Sequence, residues 1–272
     1  ELGAEICWEL GSSGVSIIDP RDWESLKPEE KVTEEKPAAE VKAYFAEKVD
    51  PRPLLNNYKL SAQIVWQLIK EDDWRHEWKK YYHPLRVGRK FFIKPVWEEA
   101  EDLERLTLVI EPGVSFGSGT HPSTQLCLEF LENYITPESR VFDVGCGSGI
   151  LAMAAAKLGA AQVWAVDNDP LAVKAAKENF QLNALQIEVV EGDLLRQAKG
   201  RANLIVANIV AEVIIQLAPT VAEFLEDGGL FIASGIYYER ETEVEKFLTA
   251  RQFELMARKR EGEWTALAVR KR

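Results

Sequence analysis

The sequence predicts an α/β chain, a doubly wound nucleotide-binding sheet preceded by a smaller α+β unit. Three observations predict it. An apolar run at Val141–Val144 breaks into glycines at alternate positions, Gly145, Gly147 and Gly149, and resumes as the helix-type run Leu151–Leu158. The next strand-type run, Gln162–Asp169, ends in acid about 20 residues after the glycines, where a βαβ unit places a partner for ribose hydroxyls. Beyond it, apolar runs of strand length alternate with helix-length segments to the end of the chain.

Length and charge bound the possibilities. With 272 residues, 46% of them hydrophobic, the chain holds one large domain or two of unequal size. A net charge of −11 argues against broad nucleic-acid binding, which needs clustered Lys and Arg to neutralise phosphates. It suits a basic protein substrate, and serves solubility equally well. The most apolar window, Leu204–Ala218, is interrupted by Asn208, Glu212 and Gln216. It is shorter than the ~20 residues of a bilayer helix, so no membrane association is expected. Cys7, Cys127 and Cys146 lack C-x-x-C spacing, so neither a disulfide framework nor a metal site is indicated and a reducing cytoplasm is the expected location. Because the chain opens at Glu1 and not at Met, a few residues are expected ahead of it.

Taken in order, Ala4–Leu10 is weakly helical and Gly14–Asp19 reads as a strand closed by Pro20. Lys27–Lys42, rich in Lys, Glu, Pro and Ala, reads as a solvated loop. Val41–Ala46 resumes a strand, and Asn57–Lys70 reads as an amphipathic helix with Leu60, Ile64, Val65 and Leu68 on one face. Residues 1–70 thus form a small sheet-and-helix unit, 71–105 a connector, and 106–272 the nucleotide-binding domain. In the connector, Trp74, Trp78, Tyr81 and Tyr82 share one helical face opposite Arg75, His76, Lys79 and Lys80. That spacing favours packing over base stacking, and His76 and His83 are read as structural. Phe91–Trp97 and Leu106–Ile110 read as strands.

The stretch Glu111–Thr124 is a glycine- and hydroxyl-rich loop opening into a helix over Gln125–Tyr134. Pro122 suits the first turn, and Thr120 or His121 can cap it. Free N–H donors at such a terminus also offer contact to a ligand carboxylate, so capping and ligand binding both stand. Leu171–Asn183 is helix type, with Ala172, Ala175, Ala176 and Asn179 on one face. The strand Ile187–Val190 leads to Asp193, either a turn aspartate or a partner for an adenine amine. Ala202–Asn208 reads as a buried strand whose Asn208 either caps the next helix or faces the ligand crevice. Gly229–Gly235, the helix Glu239–Arg251 and the strands Phe253–Arg258 and Trp264–Val269 complete the sheet.

The glycine turn decides the cofactor class. A dinucleotide fingerprint G-x-G-x-x-G needs its third glycine at position 150, which is Ile150. D-x-G-x-G-x-G beginning at Asp143 instead resembles the first motif of class I S-adenosylmethionine (SAM) methyltransferases. Four segments together, E-P-G-x-x-F-G-x-G-T-H-P-x-T at Glu111–Thr124, D-V-G-C-G-S-G-I-L at Asp143–Leu151, D-x-D-P at Asp167–Pro170 and A-N-I at Ala207–Ile209, resemble the PrmA family, the methyltransferases of large-subunit ribosomal protein eleven. The stretch Asp73–Trp78 is also family-like. Ser118 and Ser123 stand where threonine is usual and Val210 where leucine is common, changes that keep the chemistry.

The resemblance implies a Rossmann-like class I SAM methyltransferase sheet with a ferredoxin-like N-terminal recognition domain. It implies SAM as cofactor and methylation of amino groups, lysine side chains or the N-terminal amine, on ribosomal protein eleven. Carried over by position, Thr124, Gly145, Asp167 and Asn208 would contact SAM; Phe116, Gly117, Asp143, Gly147 and Asp193 are further candidate cofactor contacts, and Asn208, with His121 as second candidate, would orient the amine. A methyltransferase of RNA or of a small molecule would share every one of these cofactor residues. A noncatalytic SAM-binding module would share them too, whereas an NAD-dependent oxidoreductase is disfavoured by Ile150.

Overall fold

The computed structural model describes residues 14–18, 40–44, 49–57, 64–65, 82–113 and 116–272. Two compact units divide the chain, Glu1–Glu71 and Asp72–Arg272. In the first, β1 (Gly14–Ile18) pairs antiparallel with β2 (Glu40–Tyr44), setting Val15 opposite Ala43 and Ile17 opposite Val41. The helix α1 covers Arg52–Asn57, ahead of the one expected from Asn57, because the start signals lie earlier. Asp50 accepts a hydrogen bond from the Arg52 amide at 3.1 Å and Pro53 occupies the first turn, where its missing N–H costs nothing. Ile64 and Val65 carry no helix, and Val65 is 78% exposed. The rest of Asn57–Lys70, the segment Ala4–Leu10, the loop before residue 40 and the aromatic face Trp74–Tyr81, with His76, lie outside the described residues.

The second unit opens with a three-stranded sheet of β3 (Leu85–Val87), β4 (Phe91–Pro95) and β5 (Leu106–Ile110). β3 runs antiparallel to β4, and β4 parallel to β5. Within the segment read as connector, Val87, Phe91 and Ile93 are buried, as are Leu108 and Ile110 of β5 in the domain that follows. They pack in one cluster with Leu126, Phe130 and Leu131 of α2 (Pro122–Tyr134). The turn between β3 and β4 is clamped by the buried Glu132 of α2, whose carboxylate accepts from the Arg89 amide at 3.0 Å and the Lys90 amide at 2.7 Å.

The large sheet has seven strands: β6 (Arg140–Val144), β7 (Gln162–Asp167), β8 (Glu188–Glu191), β9 (Ala202–Asn208), β10 (Leu225–Tyr237), β11 (Phe253–Glu261) and β12 (Trp264–Lys271). Helices α3 (Ile150–Lys157), α4 (Pro170–Leu182), α5 (Ala211–Phe224) and α6 (Glu241–Thr249) connect them. The spatial order is β11-β12-β10-β9-β6-β7-β8, with β12 antiparallel to both neighbours and the remaining pairs parallel. Both faces of the central strands are covered, which is why they read as near-continuous apolar runs. Alternation sends Val141, Leu204 and Val206 into the layer under α2, α3 and α4, and Phe142, Val144, Ile205 and Ala207 into the layer under α5 and α6.

Topology places the site. The chain starts at the centre with β6, steps outward to β7 and β8, then crosses back to β9 and β10, so strand order reverses between β6 and β9. Crevices for ligands open at such a switch point, outside the carboxyl ends of the strands. The run expected as a strand to Asp169 stops at Asp167, because the Asp169 side chain turns to cap α4 by accepting from the Leu171 amide at 2.8 Å. No helix among the described residues is long and apolar enough to cross a membrane.

Replacing Glu132 with Ala leaves two turn amides without their charged acceptor. We expect Glu132→Ala to lose about 2 to 4 kcal/mol in urea unfolding, since hydrogen bonds to charged groups contribute roughly 1.5–3 kcal/mol each. A loss within about 0.5 kcal/mol of zero, the range of ordinary surface changes, would show that the clamp does not hold the turn.

Candidate active site

The crevice floor is the turn after β6. The Gly145 and Cys146 amides both donate to the Val166 carbonyl of β7, at 2.9 and 3.0 Å, so the turn folds toward the neighbouring strand. The Gly147 amide then donates to Asp167 Oδ2 at 2.8 Å, and the Asp169 amide to Oδ1 at 3.0 Å. Gly147 has φ +53°, and a Cβ added there would lie 2.4 Å from the Phe116 carbonyl oxygen. Only glycine allows that approach without displacing backbone. Ile209, directly after Asn208, packs over Gly145 so closely that a Cβ there would meet its Cγ2 at 2.5 Å.

A second wall comes from the loop before α2. The Ser148 amide donates to the Phe116 carbonyl at 2.9 Å and the Ser148 hydroxyl to the Gly117 carbonyl at 2.6 Å, which lays the loop on the glycine turn. His121 is the cap of α2, and its Nδ1 accepts from the Ser123 amide at 3.3 Å. With Nδ1 accepting, the proton of the neutral ring sits on Nε2. Burial pulls the His121 pKa below its usual value of 6.5, which favours that neutral ring. The ring stands edge-on to Phe116, 5.2 Å between centroids, and to Trp264 of β12 at 4.7 Å.

The third wall is the end of β9. Asn208 Nδ2 donates to Thr124 Oγ1 at 3.1 Å, joining β9 to the first turn of α2. Ser234 of β10 supports both from behind, its hydroxyl donating to the Ser123 carbonyl at 3.0 Å while its carbonyl accepts from the Ile209 amide at 3.1 Å. Gly235 leaves room for this turn, since a Cβ there would lie 2.5 Å from the Ile209 carbonyl oxygen.

Of the residues singled out in the sequence, the structure gathers Phe116, Gly117, His121, Thr124, Asp143, Gly145, Gly147, Asp167 and Asn208 around this edge. Asp193 stands beyond the end of β8, exposed and paired with Arg196 at 3.0 Å. Sequence reasoning missed Ser148, Ser234, Gly235 and Trp264. The two glycine-flanked serines, in G-S-G and S-G, carried the same close-approach signal as the glycines, whereas nothing in the local sequence ties Trp264 to His121.

Asp143 is fully buried in β6, with Oδ2 accepting from the Ala152 amide at 2.9 Å and Oδ1 without a partner. Among the described residues two other buried side-chain atoms share that state, Asn208 Oδ1 and Arg140 Nε, the latter at the opposite end of β6. Two unpartnered oxygens flank the switch point, Asn208 Oδ1 and, once its carboxyl ionises, the acceptor Asp143 Oδ1; beside a carboxylate at Asp167 they form a site suited to a cationic ligand rich in N–H and O–H groups. SAM, with its sulfonium, ammonium and ribose hydroxyls, fits that chemistry. Burial also pushes the Cys127 thiol up to about 12 and Cys146 higher still, so neither is a nucleophile.

Burial, with a smaller contribution from Asp167, raises the Asp143 pKa from 3.8 to about 7. The unfolded carboxyl ionises near pH 4 while the folded one keeps its proton to about 7. Between those values folding takes up a proton, so stability falls as pH rises, with a slope of roughly 1.4 kcal/mol per pH unit from this group, and levels off above. Asp143→Asn removes that slope. In calorimetric scans from pH 5 to 8 the variant's Tm is expected to fall less than the parent's, and parallel curves would refute the assignment.

With the geometry described, its relatives are informative. The family model described as ribosomal protein L11 methyltransferase (PrmA) matches residues 1–272. A ribosomal protein L11 methyltransferase of Caldanaerobacter subterraneus subsp. tengcongensis is 40% identical over 294 residues, covering 98% of this chain and 93% of its own length. One from Clostridium botulinum (strain Eklund 17B) is 41% identical, covering 97% and 92%. The crystal structure of a ribosomal protein L11 methylase from Lactobacillus delbrueckii subsp. bulgaricus is 37% identical with a TM-score of 0.67, over 70% of this chain and 100% of that one. Sequence, fold and the glycine-turn geometry agree: this chain belongs to the ribosomal protein L11 methyltransferase (PrmA) family.

Proposed function

We propose that this protein methylates amino groups of ribosomal protein L11, on lysine side chains or the N-terminal amine, with SAM as donor. The observation that carries the reading is the meeting, at one sheet edge, of the Gly145–Gly147 turn, Asp167 and the Asn208–Thr124 pair. Asp167, with spare lone pairs on both oxygens, accepts ribose hydroxyls, and the Gly147 backbone leaves room for the nucleoside. Asp143 complements the cationic tail from beneath the turn. Asp193 is proposed for the adenine edge.

Bound SAM supplies a methyl group on a sulfonium, so transfer is an in-line displacement by an amine lone pair. A free lysine has a pKa near ~10.4, and presenting it neutral at pH 7 costs roughly 4–5 kcal/mol. Phe116, which is exposed, and the half-buried His121 and Trp264 present apolar ring faces that a bound substrate would cover, and that desolvation would disfavour the ammonium form. Asn208 Oδ1, buried and without a partner, accepts an amine N–H and thereby turns the lone pair outward. His121 has its Nδ1 engaged by the helix cap, so it offers an N–H and an apolar face and not a free basic nitrogen. The net charge of −11 favours a basic protein over RNA as substrate. A ribosomal protein as substrate supports the cytoplasm as the site of the reaction.

Substrate recognition is assigned to the first unit, Glu1–Glu71, since every residue of the crevice lies in the second. Binding energy there positions the amine and raises turnover as well as affinity. A cut at Glu98 would strip β4 from β5, so the division belongs near Asp72. A chain beginning at Asp72 should bind SAM in calorimetry yet methylate L11 at least tenfold more slowly; full-rate methylation by that folded chain would falsify the assignment.

Asn208→Ala should keep its Tm within a few degrees and its SAM affinity within about threefold, while kcat for L11 falls tenfold or more, about 1.4 kcal/mol in the barrier. Normal turnover in that variant would reduce Asn208 to a strut between β9 and α2.

A further inference from the structure

Helix α4 and its C-cap residue carry two buried or part-buried amides one turn apart, Asn179 and Asn183, which serve the end and the open edge of β5. Asn183 acts as a strand would: its Oδ1 accepts from the Val109 amide at 3.0 Å and its Nδ2 donates to the Val109 carbonyl at 2.6 Å. Asn179, 1% exposed, does something different. Its Oδ1 accepts from the Glu111 amide at 2.8 Å, at the root of the loop, and its Nδ2 donates to the Ser148 carbonyl at 2.9 Å, in the middle of the glycine turn. Ser148 in turn holds Phe116 and Gly117 by its amide and hydroxyl. One side chain from a third element therefore spans the two backbone segments that form opposite walls of the crevice.

We infer that Asn179 is a positioning residue that, together with Ser148, clasps Glu111 and the Phe116–Thr120 segment onto the glycine turn and so sets the affinity for SAM without touching it. The inference rests on the reading of this crevice as the SAM site. A buried amide with both ends satisfied fixes a distance and a register, which apolar packing of the same volume does not. Asn179→Asp keeps the acceptor for Glu111 but sets an oxygen against the Ser148 carbonyl, opening the clasp on the turn side only. Ser148→Ala is the milder variant, removing the hydroxyl bonds to the Gly117 carbonyl and from the Ile150 amide while the backbone bond to Phe116 stays. Asn183→Ala is the control, removing comparable hydrogen bonds from the same helix to β5.

Two readouts are required in the full chain, hydrogen exchange of the loop and turn amides without ligand, and calorimetric affinity for S-adenosylhomocysteine. Expected for Asn179→Asp and Ser148→Ala are faster exchange at the Phe116–Thr120 and Gly147–Ser148 amides and at least tenfold weaker S-adenosylhomocysteine binding. The KM for SAM should rise in proportion, with kcat at saturating SAM within about threefold, while Asn183→Ala changes neither binding nor loop exchange even if its Tm drops. Unchanged affinity in Ser148→Ala together with any folded Asn179 variant would overturn the proposal, as would equal weakening in Asn183→Ala. A parent chain that does not bind S-adenosylhomocysteine at all would overturn both this and the assignment of the site.

Discussion

The crevice depends on how near the backbone at Gly147 comes to its neighbours. Its amide reaches the Asp167 carboxylate at 2.8 Å while its Cα faces the Phe116 carbonyl, with 2.4 Å left for a Cβ that glycine does not have. Three segments far apart in sequence, β6, β7 and the loop before α2, are thereby brought within one hydrogen bond of each other. A larger residue would force the turn away from the loop or from the acid, and either would open the site. The positive φ of +53° adds a second reason for glycine at the same atom.

From that contact outward, each wall is braced by backbone groups that its own element leaves unsatisfied. A helix N-terminus has free amides, and α2 settles that of Ser123 on His121, while the Ser234 hydroxyl donates to the Ser123 carbonyl and Asn208 to Thr124 beside it. An edge strand has a free row of amides, and β5 meets it with Asn179 and Asn183 of α4. The polar side chains buried in this domain are therefore concentrated where strand ends, helix starts and the loop meet. The apolar layers on either side of the sheet hold the frame, and these amides and hydroxyls set its register at the carboxyl edge.

How much of this was legible follows from which interactions are local. Strand, glycine turn and helix at 140–157 are encoded within a few residues, and so is the acid that ends β7; all were read close to their observed bounds. The cap of α2 was narrowed to Thr120 or His121 because capping is a one-turn interaction, and the structure selects His121. α1 starts at Arg52, ahead of the helix expected from Asn57, because the start signal lies at Asp50–Pro53; Ile64 and Val65 are not helical, and the rest of that expected helix lies outside the described residues. β3 is three residues long and has no period to detect. Trp264 reaches His121 across 143 positions, and Asn179 reaches Glu111 across 68. The apolar face of α4 was visible with Asn179 in it, but an amide on such a face shows only that a partner must exist, not which backbone supplies it.

The remaining imbalance at the crevice has a direction. Asp143 is buried with one oxygen unpaired and a pKa raised to about 7, so the ligand-free fold carries a carboxyl group it does not fully satisfy. Asn208 has one amide end bonded to Thr124 and the other unpaired. Asn208 Oδ1 is an acceptor, and Asp143 Oδ1 becomes one when its carboxyl ionises; both lie at the two strands whose order reverses, whereas Arg140 Nε, the donor in the same condition, lies at the far end of β6. A ligand that brings positive charge and N–H groups to this edge restores what the fold leaves open, and one that brings anionic oxygens worsens it. The two open oxygens thus favour a cationic sulfonium cofactor over the pyrophosphate of a dinucleotide before any contact with the adenine. This electrostatic argument reaches, from buried atoms alone, the conclusion that Ile150 gave from the spacing of glycines.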